Sequence, residues 1–107
     1  MKAECKEIAS ILLSIDNSLA MGVSDLEHRD YGGIKYAAEA AEQAAKMAHV
    51  KGILNEGEAS PFQTKTQILS YLSEDRLDAA MELMGTLHEL AERLLLEKVI
   101  ACECGKA

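Results

Sequence analysis

Apolar residues recur every three or four positions along most of the chain, the spacing that lines side chains up on one face of an α-helix. Over residues 2–21 the stripe is Cys5, Ile8, Leu12, Ile15 and Leu19, broadened by Ile11 and Leu13, with Lys6, Glu7, Ser10, Ser14 and Asn17 opposite. Gly22 reads as the stop, because glycine takes the left-handed conformation that ends helices. Ser24 and Glu27 have capping-box spacing, and a polar loop with one helical turn is expected as far as Gly32-Gly33. A second helix is expected over residues 34–54. Its inner face is Ile34, Ala37, Ala38, Ala41, Ala44, Ala45, Ala48 and Gly52, a ridge of small residues that lets another helix come close. Tyr36, Ala40 and Met47 form a strip along one flank.

Asn55 to Ala59 reads as a turn. Ser60-Pro61-Phe62-Gln63 then carries three start signals together: an N-cap serine, proline in the first helical position, and glutamine at capping-box distance. A short helix is expected over residues 61–72, and Ser73 is expected to cap the last one, residues 73–103, with Glu74 and Asp75 in its first turn. In that last stretch Leu77, Ala80, Met81, Met84, Leu87, Ala91, Leu94, Leu95 and Cys102 share one face, and Leu83 and Leu90 widen it to roughly half the circumference. Leu96 and Ile100 fall outside it, toward the charged side. The pattern predicts an all-α fold: a small antiparallel bundle of three to four helices in a single domain, residues 1–107, organised around a long C-terminal helix. That helix has more apolar surface than short neighbours can cover. Leu83, Leu87, Leu90, Leu94, Leu96, Val99 and Ile100 are therefore the expected partner or dimer interface, with Tyr36, Met47 and Tyr71 as a secondary one.

Composition agrees with helices. Nearly half of the 107 residues are hydrophobic, mostly alanine and leucine, and tryptophan is absent. A net charge of −7, from 18 acidic against 11 basic residues, argues against direct nucleic-acid binding, which needs a basic footprint. It suits a protein partner with a basic or apolar groove, including one that otherwise holds DNA. Asp78, Glu82, Glu89 and Glu92 on the last helix are the acidic stripe such a partner would meet, steering encounter more than adding affinity.

No apolar run reaches the ~18 residues that span a membrane. Glu4 and Glu7 near the N-terminus are wrong for a secretion signal. Three cysteines, an odd count, argue against a disulfide framework and for a reducing cytoplasm. Cys5 and Cys102 are expected as buried thiols, with Cys104 at a frayed end. Cys102-Glu103-Cys104, with Cys5 brought close by the bundle topology, lacks the two cysteine pairs of a zinc site, so neither metal nor cofactor is expected.

Two local patterns touch known chemistry. Ala48-His49-Val50-Lys51-Gly52 resembles histidine phosphotransfer domains, four-helix bundles of this size in which an exposed imidazole carries phosphate. The resemblance would make His49 the carrier, but one residue separates it from Lys51 where that family has two. The difference turns the lysine by about 100° around the helix. Glu39-Ala40-Ala41-Glu42 and Asp75-Arg76-Leu77-Asp78 are similar to the paired acidic motifs of all-α nucleotide pyrophosphatases, which would imply magnesium binding. That family uses a shorter interval, and its second pair begins with glutamate.

His88 lies near the middle of the last helix's apolar face, with Glu92 one turn later. With no E-x-x-H or H-E-x-x-H around it, a core or interface histidine is expected. No nucleophile-base pair, glycine-rich phosphate loop or dinucleotide fingerprint can be assembled, so the chain does not read as an enzyme. The function expected from these features is a small acidic regulator that inhibits or modulates a partner protein by helix-in-groove docking. It is similar in general style to small helical anti-activators of transcription factors and to phage-encoded inhibitors of host defence. A homodimer through the C-terminal helices buries the same patch twice.

Overall fold

The computed structural model describes residues 3–105. The elements are α1 (Ala3–Glu27), α2 (Tyr31–Val50), a single-turn α3 (Glu56–Ala59), a 3-10 turn (Ser60–Phe62), α4 (Lys65–Ser73) and α5 (Leu77–Cys104). All regular structure among the described residues is helical, as the periodicity predicts. At 1.5 Å per residue the 28 residues of α5 extend about 42 Å, nearly the 48 Å long dimension of the molecule.

Three contacts fix the direction of α5 against α1: Cys5 meets Cys102, Asp16 meets His88, and Gly22 meets Met84. As one number rises the other falls, so the helices are antiparallel. Lys51 with Glu7 and Ala37 with Gly22 give the same answer for α2 and α1. The expected organiser was the last helix; the observed one is α1, which packs along both α2 and α5. The short α4 packs on α2 and α5. It shares one core cluster with them through Ile68, which lies among Ile34, Ala37, Ala38, Ala80 and Met84. Toward the other end, Leu54, Ala59 and Phe62 close the core over Leu12, Ile15, Ala45, Ala48, Ala91 and Leu94.

Several expected boundaries move, each for a local reason. α1 runs through Gly22 instead of stopping there, and its first expected residue, Lys2, lies outside the described residues. A Cβ at Gly22 would come 2.5 Å from the Met84 methyl and 3.2 Å from the Ala37 methyl, so the glycine is a crossing point of three helices and not a cap. The chain reverses at Arg29, in the left-handed region (φ 57°), and Asp30 accepts from the Gly33 N–H to start α2 three residues earlier than expected. The Ser24–Glu27 spacing and the two glycines are thus absorbed into helices. At the far end α2 stops at Val50, and Gly52 (φ 77°) makes the left-handed turn.

The capping box forms at Asn55 and Glu58, each side chain bonded to the other's backbone N–H, and not at Ser60 and Gln63. Pro61 opens only the 3-10 turn, and α4 begins at Lys65. Ser73 ends α4, its hydroxyl donating to the Ser70 carbonyl. Asp75, at φ 56°, makes the reversal into α5. Glu74 and Asp75 therefore lie before the first turn of α5, where Asp78 is the acid present.

The cysteine expectation is corrected. Cys5 and Cys102 form a disulfide that ties the start of α1 to the end of α5 across 97 residues of sequence, and Cys104 is free and exposed. The odd count hid the pair, and it no longer supports a reducing compartment. No helix among the described residues is long and apolar enough to cross a membrane.

Candidate functional site

His88, Glu92, Leu96, Ile100 and Cys104 follow one another every four residues along α5, which places them on one slowly slanting ridge. The ridge runs beside the seam with α1, because Asp16 of α1 reaches across to His88. Its first part is polar, its middle apolar, and its end carries the free thiol.

At the polar end Asp16 Oδ1 lies 3.1 Å from His88 Nε2, and Glu92 Oε1 lies 4.0 Å from His88 Nδ1. Asp16 is mostly covered, its side chain 15 % exposed, because it sits between the core residues Ile15 and Leu19. Glu92, at 57 %, is open to solvent. The Asp16–His88 contact is an ion pair when the imidazole is protonated, yet Oδ1 is shut off from solvent and has no hydrogen-bond partner. Burial pushes the Asp16 carboxyl above its ordinary range; nearby His88 pulls it back, and the negative charge of Glu92 pushes it further up. Asp16, His88 and Glu92 have donor atoms within 4.8 Å of one another.

In the apolar middle, Leu96 is 63 % and Ile100 58 % exposed, and Val99 is half-buried. Leu83 and Leu90 are half-buried against the core. Leu87 and Leu94, expected at the interface, are instead core residues at 5 % and 6 % exposure, packed with Leu12, Ile15 and Ala91. The broad apolar arc thus divides: α1 covers the Leu87–Leu94 side and leaves Leu96 and Ile100 in the open. Leu13 of α1, one turn before Asp16, is a further exposed leucine.

Of the secondary set, Tyr36 and Met47 are exposed on α2. Tyr71 packs on the core beneath the Arg76 guanidinium, 5.1 Å from its ring centre, and its hydroxyl accepts from Gln67. Asp78, Glu82, Glu89 and Glu92 are all exposed.

The other candidates are engaged locally. His49, at the end of α2, donates through Nδ1 to the Leu54 carbonyl at 3.0 Å, and Lys51 pairs with Glu7 at 3.4 Å. Glu39 pairs with Lys65, and Glu42 pairs with Lys46 and accepts from the Lys65 backbone. A shallow depression of about 400 Å³ between α2 and α4, lined by Tyr31, Lys35, Leu69 and Leu72, brings no acid–base pair together.

Asp16 is the residue that sequence reasoning missed. It follows Ile15 and precedes Leu19, an acid on the edge of a buried stripe, while His88 is a lone imidazole on another. That pair of misfits was the available signal. No protein family, curated protein or solved structure matches the chain.

Proposed function

We propose that the protein is a small acidic docking protein that modulates a partner by laying the α5 ridge into an apolar groove with a basic rim. The observation that carries this reading is the exposure of Leu96 and Ile100, two large aliphatic side chains one turn apart on a stable helix, flanked by acids. Neighbouring exposed aliphatic side chains on a polar surface are the pattern of an interaction site more than of a free face. Helix-in-groove recognition uses anchors at this spacing, and Asp78, Glu82, Glu89 and Glu92 would steer a basic partner toward them.

Ridge-to-ridge pairing of two copies about a two-fold axis is the simplest use of the same surface. A partner would then compete with the dimer, which makes the ridge a point of regulation. The reading assigns no catalytic group and no nucleic-acid contact. In a reducing cytoplasm Cys5 and Cys102 would be thiols; the ridge itself does not depend on their bond.

The test is light scattering on the purified chain beside the Leu96→Asp/Ile100→Asp double variant. Self-association that weakens with the double variant, at unchanged helix content, supports the reading. Wild-type and variant chains that are both strictly monomeric, or equally associated, remove the ridge as the contact surface.

A further inference from the structure

We propose that Asp16, His88 and Glu92 form a binding site for one divalent transition-metal cation of the zinc class, held by one imidazole and two carboxylates across the α1–α5 seam. The inference goes beyond the docking reading and stands without it.

Its first support is the shape of the Asp16–His88 contact. Asp16 Oδ1 and His88 Nε2 lie 3.1 Å apart across the seam, with no hydrogen bond between them. Metal bonds of about 2.0–2.2 Å place two ligand atoms roughly 2.9 Å apart at a right angle and roughly 3.3 Å apart at the tetrahedral angle. The observed separation lies between those limits.

The second support is the orphaned oxygen. Asp16 Oδ1 is shielded from water and accepts no hydrogen bond, a costly state for a carboxylate that a cation would relieve.

The third is the division of labour among the donors. Asp16 and His88 are each anchored next to core residues, Ile15 and Leu87, on two helices that the disulfide and the core hold together. Glu92 is one turn from His88 and solvent-exposed; it rests nearest Nδ1 and must swing to the Nε2 side to share an ion with Asp16, a move its exposure allows and the 4.8 Å spread of the three donors keeps short. Two fixed ligands and one adjustable ligand leave the remaining positions to water. A mixed nitrogen–oxygen set favours zinc-like cations over magnesium or calcium, which prefer all-oxygen shells.

The experiment uses the tag-free chain carrying Cys104→Ser, so that the exposed thiol cannot bind the ion. Calorimetry with Zn²⁺ should show one equivalent, Co²⁺ should give visible d–d bands, and Zn²⁺ should raise the melting temperature where equal Mg²⁺ does not. Asp16→Asn and His88→Gln should each weaken Zn²⁺ binding by more than about tenfold with helix content unchanged. Glu92→Gln, a surface change that cannot threaten the fold, should also weaken it. Absence of saturable binding, equal response to Mg²⁺, or unchanged affinity in Glu92→Gln would overturn the site. The three residues would then be an ion-pair cluster only.

Discussion

Two acids meet α5 from other elements, and their surroundings are opposite. Glu58, from α3, takes a 2.8 Å contact from Lys98 and a backbone N–H from Asn55, and these bonds hold its carboxyl below its ordinary range. Asp16, from α1, lies 3.1 Å from the His88 ring without a hydrogen bond, and burial outweighs the pull of His88 to hold its carboxyl above the ordinary range. Glu58 is a structural residue: its oxygens cap a helix turn and fasten the loop after α2 to α5. Asp16 does none of this. An acid kept in a covered position without a donor is costly to the fold, so the α1–α5 seam is where a ligand is to be sought, and the α3–α5 contact is not.

The largest effect should come from opening that seam. Cys5→Ser with Cys102→Ser removes a cross-link spanning nearly the whole chain, and about 2–4 kcal/mol of stability should go with it, read as a lower denaturant midpoint. The helix content at rest should stay the same, because the core clusters do not depend on the bond.

Glu58→Gln comes next and tests the satisfied acid. Loss of the charge-assisted bond and the weakened capping box should cost about 1 kcal/mol near neutral pH. The folded carboxyl sits below its unfolded value of 4.5, so the charge stabilises the fold above that pH. The benefit fades as pH falls through the lowered value, and wild type and variant should converge in acid.

Asp16→Asn should behave in the opposite sense. The Asp16 carboxyl sits above its unfolded value of 3.8, so the folded state takes up a proton that the unfolded state releases. Stability therefore falls as pH rises through that window, and the full cost is present above it. Without added metal the variant should melt slightly higher than wild type at neutral pH, with the gain vanishing in acid. If Glu58→Gln and Asp16→Asn show the same pH dependence, the contrast between the two acids is broken.

The smallest effect on stability belongs to the open ridge. Leu96→Asp with Ile100→Asp should change the unfolding free energy of the isolated chain by no more than about 0.5 kcal/mol per site. A much larger loss, seen as an early melt, would mean that the two side chains are buried in solution.

The helical class, the antiparallel order and most core positions were legible in the sequence, because a period of 3.6 is a local signal. What was not legible depended on distant residues. Gly22 carries the same local signature as a helix stop, and only Met84 and Ala37 make it a crossing point. Asn55–Glu58 and Ser60–Gln63 both have capping-box spacing, and the chain uses the first, where Lys98 also reaches Glu58. The arc of α5 could be seen to be too broad, but which leucines α1 would cover depended on the crossing itself. Asp16 and His88 are 72 positions apart, and each alone looks like a tolerated polar residue beside a core stripe.

The most direct test is to follow the side-chain carboxyl carbons of Asp16 and Glu58 by NMR through an acid titration, with and without Zn²⁺. The account predicts that Asp16 titrates above the ordinary aspartate range and Glu58 below the ordinary glutamate range, and that Zn²⁺ shifts the Asp16 signal alone. An Asp16 that titrates like an exposed aspartate and ignores Zn²⁺ would contradict it.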